Sequence, residues 1–484
     1  MDDNFVMMQA FEWTTPSDGN YYTFLKDNAK NIKESGIDAL WLPPMCKGTS
    51  KDDVGYGIYD LRDLGEFDQK STVRTKYGTK DELLECIKVL HENNIKVYGD
   101  VVLNHKAGAD YTEKFKAIMV DQNDRTKDVS GELEIEGWTG FEFSGRNNKY
   151  SDFKWHYYHF SGIDFDNSSK TKAVYRILGN GKYWSNEVSN ENGNYDYLMN
   201  ADIDHSHPDV ENEIFKWIDW YLDTTRIDGI RFDALKHIDY GFIDKLSRHI
   251  MQKKQGDFYL LGEYWQNDES SMSKYLDNTD WRIDLFDVVL HFNMSKASKS
   301  NGTYDMRKIF DNTLVKQKPL NAVTFVDNHD SQPGQSLESW VDDWFKEIAY
   351  ALILFRKDGY PCIFAGDYYG INSEELKNQK KSMIDNMIKV RKKFAYGNQD
   401  DYFDNQQVIG WVRRGDINSS KLVVIISIGD SAQKQMFVGE EEADEIYVDL
   451  SGHNNHEIKI DENGNGLFEV GPGQVSYWVN KKFI

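Results

Sequence analysis

Cysteine is scarce in this chain of 484 residues: Cys46, Cys86 and Cys362 are odd in number and far apart. That excludes a disulfide framework and reads as buried thiols in stretches patterned as strand or helix. No apolar run approaches the roughly 20 residues of a membrane span, and MDDNFVMMQAFEW has no basic segment followed by an apolar one. A soluble, cytoplasmic protein is the expectation; a mature secreted chain would look the same. Basic charge is also short, with 57 Lys and Arg against 80 Asp and Glu and a formal charge of -23. Nucleic acid and anionic membranes require a basic face and are excluded as partners, whereas a neutral polymer is indifferent to the charge.

What is present is ample for folding: 39% hydrophobic and 14% aromatic residues over a length that implies about three domains. Apolar runs bounded by turn signals fall at Phe5 to Gln9, Ala39 to Leu42, Val97 to Leu103, Gly229 to Phe232, Phe258 to Gly262, Leu285 to Leu290, Ala322 to Val326 and Cys362 to Phe364. Between them lie helical patterns such as KDELLECIKVLHENN, with Leu83, Leu84, Ile87 and Leu90 at helical spacing. Eight strands alternating with helices predict a (β/α)8 TIM barrel.

The stretch from Asn104 to Asp204 is too long for a loop and reads as a small inserted β domain rich in aromatic rings, most of them core. After about Tyr396 short alternating strands predict an antiparallel β sandwich. The expected division is 1-103 with 205-395 for the barrel, 104-204 for the insertion and 396-484 for the sandwich. DENGNG at Asp461 to Gly466 starts like a calcium loop, but Pro472 stands where the closing Glu belongs, so a hairpin turn is expected.

Four barrel strands end in polar groups: DVVLNH at Asp100 to His105, GIRFDALKH at Gly229 to His237, LLGEYW at Leu260 to Trp265 and FVDNHD at Phe325 to Asp330. Parallel strands deliver those ends to one face. Asp233, Glu263 and Asp330 should therefore meet His105, His329 and Arg231 in one cleft. Two carboxyls in different environments, one ionised and one protonated, suit cleavage of a glycosidic bond. Arg231 and Asp233, two apart on one strand face, could also be a plain ion pair. A transition-metal site at His105 and His329 is disfavoured, because no paired-His spacing accompanies them.

These four stretches resemble, in order, the signature motifs of the alpha-amylase family of glycoside hydrolases, most closely the bacterial liquefying type. The likeness includes VGYGIYDLRDLGEF at Val54 to Phe67 and YLMNADIDHSHPDV at Tyr197 to Val210. It implies retaining endo-hydrolysis of α-1,4-glucosidic bonds, with Asp233 as nucleophile, Glu263 as acid/base and Asp330 as transition-state stabiliser. Arg231 would favour the ionised form of Asp233, while the charges of Asp233 and Asp330 would keep Glu263 protonated. Tyr56, His105, Arg231, Lys236, His237, Trp265, His329 and Gln332 are the implied contacts to an α-glucan, Tyr56 as a platform beneath the cleaved sugar. The resemblance also implies a structural calcium held by Asn104, Asp196, Asp202 and the backbone carbonyl of His237. The alternative for the two aspartates is turn capping in an Asn- and Asp-rich loop. Liquefying relatives add a second calcium and a sodium through acids at positions that are Ser161 and Ser185 here; Asp204 still matches. A further site near the C-terminal domain is in doubt, since Gln406 and Gln407 replace more typical ligands. The chain is expected to act as a monomer. Two alternatives share the motifs: a transglycosylase or branching enzyme, and a non-catalytic glucan-binding relative, which typically lacks a carboxylate that this chain retains.

Overall fold

The computed structural model describes residues 4–371, 380–416 and 419–484. Eight parallel strands close a barrel: β1 (Met7–Gln9), β2 (Ala39–Leu42), β3 (Lys96–Val101), β4 (Gly229–Phe232), β5 (Tyr259–Gly262), β6 (Asp284–Phe286), β7 (Ala322–Phe325) and β8 (Tyr360–Phe364). Each strand pairs with its neighbours in sequence, and β8 closes on β1. Strand alternation sorts the side chains. Ile230 and Phe232 pack outward in the large core with the helices, whereas Trp41, Tyr98, Leu261, Phe325 and Cys362 form the core inside the barrel. The outer helices bury one stripe each, as in Lys80–Glu92, where Leu83, Cys86, Ile87 and Leu90 face inward and a Thr79/Glu82 capping box fixes the start. Leu84 in that helix is only partly covered. All three cysteines are free and buried, Cys46 on a loop beyond β2.

One strand is shorter than its apolar run suggested. The run Leu285 to Leu290 is strand only through Phe286, because the Asp287 carboxylate accepts the Leu290 N–H at 3.0 Å and starts the helix Val288–Ser298. An apolar run buried on all sides looks alike as strand or helix.

Between β3 and β4 the chain builds a separate six-stranded antiparallel sheet, ordered His105–Lys106, Ala201–Ile203, Phe160–Asp166, Thr171–Ile177, Tyr111–Met119 and Leu133–Gly140. Phe141, Phe143 and Trp155 are buried there around the Lys106 ammonium, whereas Trp138 and Tyr158 are exposed. Residues from Gln399 to Asn480 form a second six-stranded sheet covered by the ribbon Ala432–Phe437 with Asn465–Val470, and Val412, Ile425, Met436, Phe468 and Trp478 fill the space between the layers. The DENGNG stretch is a turn, but not a hairpin. It joins Glu457–Lys459 to Asn465–Val470, which pair with different strands in different layers. The Asp461 carboxylate accepts the N–H groups of Asn463 and Asn465 at 2.9 and 2.8 Å, and Gly464 supplies the φ of 78° that the turn needs.

Candidate active site

The barrel register assembles the site. Arg231 on β4 is the direct partner of Asp100 on β3, so both side chains point into the barrel near its C-terminal mouth. One residue beyond the paired Phe232 and Gly262, Asp233 and Glu263 leave adjacent strands side by side. Their backbones stay in register, with Asp233 N–H donating to Val101 O at 3.0 Å and Glu263 N–H to Phe232 O at 2.9 Å. Ala234 then turns the chain at a φ of 52°, a costly conformation for a residue with a Cβ, directly after Asp233.

Arg231 is the hub. Its Nη1 donates to Asp100 at 3.0 Å and to Asp233 at 2.7 Å, and its Nη2 donates to Glu263 at 2.6 Å. The guanidinium is fully buried under the rings of Trp41 and Tyr56. Asp100 also accepts from Trp41 Nε1 at 3.0 Å and from Tyr56 Oη at 2.9 Å. Asp100 opens a motif read for its other end, and its part in seating Arg231 and Tyr56 was not foreseen.

Burial decides the carboxyl chemistry. It pushes Glu263 up to about 7, against Arg231 and with help from the Asp233 charge. Asp233 is raised as well, because burial outweighs Arg231, and the two carboxyls are hydrogen-bonded to each other. Asp330 is raised well above the carboxylate range by burial and then by Glu263. Desolvation, rather than the neighbouring charges expected from sequence, is thus the first cause of a protonated Glu263. Four acids around one permanent cation hold at least one proton among them.

The walls follow from the same strand ends. His329 stacks on Tyr56 with ring centroids 5.0 Å apart, accepts at Nδ1 from Gln9 Nε2 over 2.8 Å, and reaches Asp330 with Nε2 at 3.2 Å. Trp13, on the loop after β1, lies parallel to both rings at 6.0 and 5.9 Å and extends this wall. Nothing in its sequence neighbourhood marked it. His105 is buried with Nε2 on the Tyr56 carbonyl at 2.8 Å, holding the platform loop. Lys236 bridges Glu191 at 3.0 Å and the Trp265 carbonyl at 2.9 Å, and Trp265 packs against His291, Phe292 and Phe325. Gln332 departs from the expected contact role: it is fully buried, accepting Trp13 N–H at 3.1 Å and donating to Glu12 at 3.2 Å. It holds the Trp13 loop against the Asp330 loop.

The expected calcium residues also converge. Asn104 Oδ1 is buried with no hydrogen-bond partner among the described residues, an acceptor aimed at nothing. Asp196 and Asp202 are buried and raised, Asp196 to about 8, with burial the first cause for both; the charge of Asp196 adds to the rise of Asp202. An orphaned amide oxygen beside two carboxylates short of positive charge fits a hard divalent cation. His237 anchors the same region, its ring on the Tyr195 carbonyl at 2.7 Å. A histidine-bearing group, His159, His207 and Asp209, also gathers. There the Nδ1 atoms of His159 and His207 accept backbone N–H groups at 3.0 and 3.2 Å, which leaves Nε2 protonated and unsuited to a metal.

A carboxyl kept neutral by burial, in contact with one paired to a buried cation at the mouth of a barrel, is the pairing by which a glycoside hydrolase works. Comparison with known proteins reaches the same class. Residues 25–412 match the family model described as "Alpha amylase, catalytic domain". Over 99% of this chain, a glucan 1,4-alpha-maltohexaosidase of Bacillus sp. (strain 707) is 49% identical, with 93% of its own length covered. An alpha-amylase of Bacillus licheniformis is also 49% identical, with 94% of its length covered, and the cytoplasmic alpha-amylase of Escherichia coli (strain K12) is 38% identical over its whole length. Among solved structures, an Anoxybacillus alpha-amylase shares the fold with a TM-score of 0.66 at 18% identity, covering 99% of this chain and 98% of that one. The chain belongs to the alpha-amylase family and is a glycoside hydrolase.

Proposed function

We propose that this enzyme cleaves internal α-1,4-glucosidic bonds of starch, glycogen or maltodextrins with retention of anomeric configuration. The observation that carries the reading is the shared cation: Arg231 joined to both Asp233 and Glu263, which are in contact with each other. Glu263, protonated at neutral pH, gives its proton to the leaving oxygen while Asp233 attacks the anomeric carbon. Glu263 then takes a proton from the water that resolves the glycosyl-enzyme ester. Asp330 holds sugar hydroxyls in the distorted, cation-like state, over Tyr56 and beside His105 and His329. Lys236 and Trp265 line the leaving side, with His237 nearby. Hydrolysis rather than transfer is supported by relatives at 49% identity named as an amylase and a maltohexaosidase; a 4-alpha-glucanotransferase of Thermotoga neapolitana is 24% identical.

Calcium joins the reading through Asn104, Asp196, Asp202 and the His237 carbonyl, where it would supply charge compensation and tie the inserted sheet to the barrel. The division into 1-103 with 205-395, 104-204 and 396-484 follows the three separate sheet systems. A monomer in the cytoplasm completes the reading, in line with the relative named cytoplasmic; no helix among the described residues is long and apolar enough to cross a membrane. The test is polarimetry or NMR of products from soluble starch: α anomers and a rapid fall in chain length are expected, and initial β anomers would refute it.

A further inference from the structure

At the end of the barrel opposite the cleft, where β1, β7 and β8 begin, lies a cavity of about 470 Å³ that the catalytic steps do not use. One side belongs to the last barrel helix, Lys381–Phe394, and another to the strand Val408–Arg413 of the C-terminal sheet. Arg391 and Arg413 line it from within, each 4% exposed, and Lys357 and Asp358 stand exposed at its rim. A buried basic lining is out of character for a chain whose formal charge is -23.

A guanidinium is seldom buried without an acid beside it. Here the partners are carbonyls. Arg391 Nη1 donates to Leu354 O, while its Nε and Nη2 reach Asn4 O and Phe5 O only at 3.4 Å, longer than a well-formed bond. Arg413 donates to Phe355 O and Gly397 O, each at 3.2 Å. Both side chains thus converge on the end of the helix Lys346–Leu354. A helix C-terminus carries roughly half a negative charge, too little to offset two cations. Asp38, the acid whose charge reaches Arg391, is already paired with Lys33 at 3.0 Å and with Lys392. The surplus shows in Arg391 itself, which burial and then the charge of Arg413 push down to about 9.

Two guanidiniums beside a cavity suit an anion with several oxygens, because their forked N–H groups match phosphate geometry. The space is also larger than one inorganic ion fills and falls within the roughly 300–1,000 Å³ of small-molecule sites. Phe5 and Tyr396 add ring faces to its wall for an organic part. We infer that this cavity binds a phosphate monoester about the size of a sugar phosphate, with its phosphate between Arg391 and Arg413. Since one arginine belongs to the barrel and the other to the C-terminal sheet, the shared anion ties the two together, and occupancy raises the melting temperature.

The test is calorimetric titration of the wild-type chain, in calcium-containing buffer at ionic strength matched with sodium chloride, with glucose 6-phosphate, sodium sulfate and glucose. Saturable binding of the ester, none of glucose, and a melting temperature that climbs with ester concentration are expected. No saturable binding of ester or sulfate tighter than about 10 mM overturns the site, and sulfate binding as tightly as the ester overturns the organic ligand in favour of a free oxyanion. The exposed rim allows variants that spare the interior. Lys357→Ala should weaken ester binding and Asp358→Asn strengthen it, each about two- to threefold, as expected of exposed charges. Arg391→Lys keeps the charge but loses the fork and should weaken binding at least about tenfold. Affinity unmoved by all three variants places the ester elsewhere and refutes the site. As a check independent of variant folding, a wild-type crystal soaked in glucose 6-phosphate should show the phosphate between the two guanidiniums, and ester bound only elsewhere refutes it.

Discussion

Arg231 Nη2 donates to Glu263 Oε2 over 2.6 Å, so the carboxyl that must carry a proton is held by a group that never loses its own. Burial still raises Glu263 to about 7 against that cation. As an acid it must be protonated, so kcat/KM should fall about tenfold per pH unit above pH about 7. Removing the cation with Arg231→Met frees both carboxyls to rise, and both limbs of the pH profile should move to higher pH. A pH-rate profile that is flat from 6 to 9 would contradict the assignment.

The same variant should be costly to the fold. Asp100, Asp233 and Glu263 would remain buried without their shared partner, a situation that typically costs about 3–5 kcal/mol. Denaturant unfolding at pH 7 should show a loss of that order. The loss should shrink as pH falls, since protonating the stranded carboxyls relieves it. A stability unchanged at pH 7 would mean the network is not held as described.

Chemistry and binding should separate in the two acids. Asp233→Asn and Glu263→Gln should each lower kcat by at least about 10² while glucan affinity stays near wild type. Single-turnover rates and equilibrium binding check this. Residual activity above a few per cent, with deamidation excluded, would reassign the roles.

The parts of this site legible in the sequence were those encoded by strand ends. A polar group just past an apolar run must sit at a barrel mouth, which located Asp233, Glu263 and Asp330 and their histidines. What escaped depends on cross-strand register and depth. Asp100 needs its pairing with Arg231 to be seen as the cation's seat, and Trp13 is held at the wall by the buried Gln332 amide, far away in sequence. The source of Glu263's protonation was misread for the same reason, since sequence shows neighbouring charges but not desolvation. At Leu285 the apolar run hid a helix start that only the Asp287 cap reveals.

Gln332→Ala should expose that hidden coupling. It leaves Trp13 N–H without its acceptor and takes one donor from Glu12, whose carboxylate keeps those of Thr14, a loss of about 1–3 kcal/mol for buried groups. KM for starch should rise more than kcat falls, because the wall moves while the acids stay. Equal loss in both parameters would place Gln332 in the chemistry instead.

Calcium should reverse the pH dependence of stability. Burial raises Asp196 from 3.8 to about 8, so between those values the folded chain holds a proton that the unfolded chain has released. The contribution of this group is therefore fully present below pH about 4 and lost as pH rises through about 8. In chelator the melting temperature should fall across that window, and Asp202, shifted the same way, steepens the fall. The metal needs both carboxylates ionised, so with calcium the fall should disappear or invert. One ion per chain is expected. Ser161 donates to Asp202, Ser185 donates to Asp239 at 2.7 Å, and the Lys182 ammonium already neutralises Asp204 at 2.5 Å, leaving little charge for a second cation. Near the C-terminal sheets the Gln406 and Gln407 amides donate to the carbonyls of Thr303 and Gly302 rather than offering oxygen ligands. Elemental analysis after dialysis, with melting curves at pH 5 and 8 in chelator and in calcium, decides the matter: two or more retained ions, or melting indifferent to calcium at pH 8, would refute it.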